Sequence, residues 1–158
     1  QTATTAGLVG VLVGLLRARD SGAHTHRLAT ACLCNLAADP PLKGAIAESG
    51  AIEELSGHLA PPLESPDTLA TAAHAAAALW SLCVDMEAVK TRIGRQPILA
   101  ALLRQLQSAE PFVRGQACGC VGEVCIGRKE IKGLLADLGA VPVLLRILAD
   151  PEPATQRL

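Results

Sequence analysis

Apolar residues recur along this chain in blocks of about ten that resemble one another. The blocks are Gly7-Leu-Val-Gly-Val-Leu-Val-Gly-Leu-Leu16, Gly50-Ala-Ile-Glu-Glu-Leu-Ser-Gly-His-Leu59, Pro97-Ile-Leu-Ala-Ala-Leu-Leu-Arg-Gln-Leu106 and Gly139-Ala-Val-Pro-Val-Leu-Leu-Arg-Ile-Leu-Ala149. Matching Leu12, Leu55, Leu102 and Leu144 sets them 43, 47 and 42 residues apart. A period in the forties is the mark of stacked helical repeats, each burying its apolar face against the next.

Between the blocks the pattern predicts a short helix, a sharp glycine turn, the apolar helix, a loop and a longer helix. Helix is expected over 7–17, then a turn at Asp20-Ser-Gly22, with His24 and His26 in the loop. A second helix is expected over about 26–38, stopped by Asp39-Pro-Pro41 because proline lacks the donor a helix interior needs. A short helix from Pro41 to Ser49 carries Leu42 and Ile46 on one face, and Gly50 opens the next block. After the proline-rich loop 60–67, Asp67 is expected to cap the Ala-rich helix that runs to Val84 and holds Trp80. The third unit starts near Met86, with Pro97–Leu106 and Pro111–Ile126 as its longer helices. The fourth has Ile131, Leu134 and Leu135 on its short helix, then Gly139–Ala149. The units divide the chain into a partial repeat 1–39, repeats 40–85 and 86–127, and a partial repeat 128–158. With both ends falling inside a unit, the chain is expected to be a segment of a longer array.

Laid out in this way, the sequence resembles the armadillo-repeat family. Ala47-Glu-Ser-Gly-Ala-Ile52 and Asp137-Leu-Gly-Ala-Val-Pro142 are similar to that family's glycine turn. Ala31-Cys-Leu-Cys-Asn-Leu-Ala37, Ala77-Ala-Leu-Trp-Ser-Leu-Cys83 and Ala117-Cys-Gly-Cys-Val-Gly-Glu-Val-Cys125 are similar to its third helix. The competing HEAT repeat has two helices per unit and lacks the short helix before the turn. The resemblance implies an all-α, right-handed α-solenoid whose third helices line a concave groove. In peptide-binding members an asparagine ladder there clamps an extended main chain, since a carboxamide both donates and accepts. The ladder positions here are Asn35, Ser81 and Glu123. The tryptophan positions one turn earlier hold Ala31, Ala77 and Gly119, which disfavours a nuclear localisation signal as ligand.

Composition narrows the class further. Half the residues are hydrophobic and 1% aromatic, so the core is built of Ala, Leu, Val and Ile in closely spaced helices. A net charge of −1 gives no basic stripe for nucleic acid. The one dense basic run, Arg128-Lys-Glu-Ile-Lys132, reads as a solvated helix face. The chain starts at Gln1 without a basic-then-apolar leader. Its longest apolar run, Ala6 to Leu16, falls short of the roughly 20 residues a bilayer crossing needs. Six cysteines in such a chain read as reduced thiols of an intracellular, cytoplasmic protein, with nuclear or cytoskeletal association left open.

Metal and enzyme chemistry find little support. Residues two apart on a helix point about 200° apart, so Cys32-x-Cys34 and Cys118-x-Cys120 are not expected to share a metal. Cys32, Cys118 and Cys125 are expected to fill space between helices. His24-x-His26 lacks further ligands nearby. No nucleophile–base set, paired acids or phosphate loop is recognisable, and Gly115–Gly122 lies in a helical pattern. No cofactor, metal or catalytic residue is expected. The function expected is a protein-interaction module that binds an extended peptide or partner helix in its groove, through Asn35, His74, Trp80, Ser81, Gln116 and Glu123. Two other roles are open: an architectural segment of a large complex, such as a cytoskeletal or ciliary assembly, or the substrate-binding arm of a ubiquitin ligase with its catalytic domain elsewhere.

Overall fold

A computed structural model describes residues 2–18, 20–59 and 65–149, with side chains from residue 7 onward. The described residues form helices α1 (Thr2–Arg17), α2 (Gly22–Ala37), α3 (Pro40–Glu48), α4 (Ala51–Gly57) and α5 (Pro66–Cys83). They are followed by α6 (Glu87–Ile93), α7 (Gln96–Gln105), α8 (Pro111–Cys125), α9 (Lys129–Asp137) and α10 (Ala140–Leu148). The long helices α2, α5 and α8 pack side by side as a central row. The short and middle helices (α3 and α4, α6 and α7, α9 and α10) lie outside that row; α4 packs on α5, α6 and α7 pack on α8, and α9 packs on α8 and α10. This is an α-solenoid. The stretch 150–158, where the fourth long helix is expected to begin, lies outside the described residues.

The turns explain the element order. Gly50 (φ 85°) and Gly139 (φ 83°) stand in the left-handed region immediately before α4 and α10, a conformation that glycine adopts without steric penalty. The third unit manages the same corner with Arg95 in extended conformation and Pro97 in the first turn of α7. There Gly94 serves a different end: a Cβ on it would meet Ile131 Cδ1 at 2.5 Å, so the glycine lets α9 approach. Asp39 is extended before Pro40, as residues preceding proline tend to be, and α2 ends there.

Three local expectations are corrected. α2 starts at Gly22 (φ 78°), so His24 and His26 lie in its first turns rather than in a loop. A glycine in the left-handed region lets the chain turn sharply, so the connection from α1 is confined to 18–21 and does not extend to the histidines. The cap of α5 is Ser65, not Asp67. The Ser65 hydroxyl accepts from the Thr68 amide at 3.1 Å and the Thr68 hydroxyl accepts from the Ser65 amide at 3.0 Å, a reciprocal capping box with Pro66 at the first helical position. Asp67 is thereby free to pair with Arg27 of α2 at 2.6 Å. The run 128–132 is not uniformly solvated: Lys129, Glu130 and Lys132 are exposed, but Ile131 is buried and Arg128 is half-buried.

The core is made of small aliphatic side chains. On α5, Ala72, Ala73, Ala75, Ala76 and Ala78 are all fully buried, which lets α2 and α8 approach this helix from both sides. The buried thiols are Cys83 and Cys120, while Cys118 and Cys125 are half-buried. Cys32 is exposed, contrary to the expectation that it fills space between helices, because its position on α2 faces away from α5. Polar clips tie successive units. Arg17 meets Glu54 at 2.8 Å, and Arg92 donates to Glu53 and to the Ala47 carbonyl. Arg128 donates to the Glu87 carboxylate at 2.6 Å and to the Thr91 hydroxyl at 3.0 Å. The Arg92 guanidinium holds the Glu53 carboxyl below its usual range, and Arg128 does the same for Glu87. Arg92 on α6 and Arg128 just before α9 reach back to the preceding unit and Arg17 on α1 reaches forward to α4, so successive units are held by directed hydrogen bonds as well as by apolar contact.

Candidate functional site

The row of long helices repeats with offsets of 46 and 42 residues, which puts Asn35, Ser81 and Glu123 at equivalent positions on α2, α5 and α8. One turn earlier stand Ala31, Ala77 and Gly119, and two turns earlier Leu28, His74 and Gln116. Asn35 is exposed, and its carboxamide makes no hydrogen bond among the described residues. The half-buried Ser81 and Gln116 side chains are likewise without one. Their donors and acceptors are thus not consumed among the described residues.

Glu123 is different. Its carboxylate lies 2.9 Å from the Lys90 ammonium, and the side chains are only 18% and 7% exposed. Glu87 stands 3.5 Å from the same ammonium. The Glu123 hydrogen bond, reinforced by both carboxylates, raises the Lys90 pKa above the usual lysine value against the opposing effect of burial. Glu123 therefore ties α8 to α6 as well as standing at the ladder position.

Trp80 is packed between units. A Cβ on Gly119 would fall 2.5 Å from its ring carbons, so the indole lies directly on the α8 backbone. His74 sits edge-on to Phe112, with ring centroids 6.3 Å apart and planes at 78°. Burial, with a contribution from Arg27, holds the His74 pKa below the ordinary histidine value, and its Nδ1 has no partner among the described residues. The row thus brings His74 to Phe112, Trp80 to Gly119 and Glu123 to Lys90, and leaves Asn35, Ser81 and Gln116 unengaged.

Sequence reasoning passed over Phe112 and Lys90. Phe112 is 56% exposed, a large ring held in solvent beside a shallow apolar hollow lined by Pro66, Leu69, Ala70 and Val113 with Glu110 at its edge. The signal for Lys90 was in the register: Lys43, Lys90 and Lys132 stand 47 and 42 residues apart, one on each short helix. Lys43 donates to the Val84 carbonyl at 3.1 Å, at the end of α5. Among the described residues no group of three or more His, Cys, Asp or Glu could hold a metal, and no helix is long and apolar enough to cross a membrane.

A solenoid of three-helix units with glycine turns and a row of third helices is the architecture of armadillo repeats, and solved structures agree. A computationally designed armadillo repeat protein for modular peptide recognition superposes with a TM-score of 0.83 at 23% identity, over 96% of this chain and 61% of the other. A designed armadillo repeat protein in complex with the peptide (KR)4 gives a TM-score of 0.80 at 21% identity, over 96% and 61%. The chain has the fold of an armadillo-repeat solenoid. No family model matches it. By sequence, 77 residues, 48% of the chain, are 38% identical to the splicing regulator ARVCF of Homo sapiens and 36% identical to that of Mus musculus. The chain spans about 8% of the length of these curated relatives.

Proposed function

We propose that this protein is a non-catalytic protein-interaction module whose row of third helices binds an extended peptide. The observation that supports this reading is the set of unspent polar groups: the Asn35, Ser81 and Gln116 side chains make no hydrogen bonds among the described residues. A carboxamide in this state can donate to a peptide carbonyl and accept from a peptide amide at once. The exposed Phe112 beside its apolar hollow supplies a place for one apolar side chain of the ligand. The designed armadillo protein solved with (KR)4 is a precedent for an armadillo solenoid holding a peptide. The row here, with Glu123 already paired to Lys90, offers little to an arginine- and lysine-rich ligand. A ligand of mixed composition with an apolar anchor fits it better.

A peptide-array screen followed by fluorescence polarisation tests the reading. Asn35→Ala and Gln116→Ala should each weaken a selected peptide about tenfold, the loss of roughly 1.4 kcal/mol of hydrogen bonding, without altering thermal unfolding. Binding that ignores both changes but is lost on altering the exposed Lys129 and Glu130 of α9 would remove the row of third helices as the binding face.

A further inference from the structure

The joint between the first two units is held by two histidines. His26, in the second turn of α2, has its Nε2 3.0 Å from the Ala18 carbonyl. His58, the residue that ends α4, has its Nε2 3.1 Å from the Leu16 carbonyl. A carbonyl only accepts, so each imidazole carries a proton on Nε2 and, when neutral, leaves Nδ1 bare. The two rings are in contact, tilted at 58° with centroids 4.7 Å apart, and both residues are half-buried. Together they tie the end of α1 to α2 and α4 at a single point.

The next joint makes the same connection without a titratable group. Leu59 stands 43 residues after Leu16, and Gln105 stands 47 residues after His58. The Gln105 carboxamide donates to the Leu59 carbonyl at 2.8 Å and to the Ala72 carbonyl at 3.2 Å. Ala72 is itself the counterpart of His26, 46 residues on. One fully buried carboxamide therefore does at the second joint what two imidazoles do at the first. A carboxamide keeps its donors on acidification, whereas an imidazole changes charge between about pH 5 and 8.

The surroundings of the pair oppose that charge. Burial holds the His58 pKa below the ordinary histidine value against the hydrogen bond to Leu16; His26 lowers it further and Glu54 raises it. Glu54 is shared with Arg17 of α1, which it meets at 2.8 Å. Around α2, Arg27 meets Asp67 of α5 at 2.6 Å, with His24 3.6 Å from the same carboxylate. Lys43 of α3 is turned to the Val84 carbonyl. Two charged imidazoles would thus stand ring against ring, a state relieved by moving them apart.

We propose that this pair makes the joint between the first and second units a pH-operated hinge, closed while both imidazoles are neutral and opened when acidification protonates both at Nδ1. Each ring takes one proton from solvent, and the two cations separate, which frees the end of α1 from α2 and α4. The joint at Gln105 stays closed, so the solenoid flexes at one place.

Hydrogen exchange of the full chain at about pH 7.5 and about pH 5.5 tests the hinge, with labelling times scaled for the intrinsic pH dependence of exchange. On acidification, amides of residues 12–18 and 54–59 should lose at least about tenfold more protection than those of α7. His58→Gln, which keeps a donor for the Leu16 carbonyl, should abolish that difference. In the wild-type protein, imidazole NMR should show the two rings taking up protons in two steps about one pH unit or more apart. Equal loss of protection in every helix, an unchanged joint, the same change in the His58→Gln variant, or independent titration of the two rings would each overturn the proposal.

Discussion

The indole of Trp80 packs against the α8 backbone at Gly119, so near that a single added carbon would stand 2.5 Å from its ring. A half-buried aromatic and a helix-interior glycine, on adjacent long helices, are here one packing unit. Glycine costs about 1 kcal/mol against alanine within a helix, and the contact with Trp80 explains why it is found there. Gly119→Ala should therefore destabilise the protein by about 1–3 kcal/mol through overpacking, despite alanine's better helix propensity. In a Trp80→Ala background the same change should become neutral or stabilising. Urea unfolding of the two single variants and the double variant checks this reversal of sign.

Lys90 is buried beside Glu123, with Glu87 as a more distant second acid. Glu123→Ala should cost about 2 kcal/mol, since removing one partner strands the other charge in a desolvated place. Glu87 keeps the loss below that of a fully isolated charge. The paired change Lys90→Met with Glu123→Leu should recover most of it. Chemical denaturation at pH 7 distinguishes these outcomes, and a double variant no better than Glu123→Ala would argue against the pair as the cause.

His58 and His74 set the acid side of the stability profile. Burial is the main cause that holds both below the ordinary histidine pKa, outweighing for His58 the hydrogen bond to the Leu16 carbonyl. The unfolded chain then binds protons more readily than the folded one as the pH falls through about 6.5. Stability should be level above that value and decline below it. Melting temperatures measured between pH 8 and pH 5 should show this decline, and His74→Gln should make it shallower.

Asp85 closes α5 in the left-handed region (φ 64°), where Gly127 closes α8 (φ 72°) at the equivalent position 42 residues later. A non-glycine residue pays a steric penalty there. Asp85→Gly should raise stability by up to about 1 kcal/mol, measurable as a higher melting temperature, whereas Gly127→Ala should lower it by a similar amount.

Periodicity determined the repeat, its three-helix unit and the glycine turns, because buried positions recur at fixed intervals and only glycine enters the left-handed corner freely. Gly50 and Gly139 could be placed from sequence for that reason. The equivalence of Asn35, Ser81 and Glu123 follows from register, whereas their reading as a ladder is what the family resemblance implies. The tertiary structure decided their circumstances. That Glu123 is held by Lys90, that Trp80 lies on Gly119, and that Ser65 rather than Asp67 caps α5 all depend on which side chains meet across helices. Register says which residues are equivalent; only packing says which of them already have a neighbour.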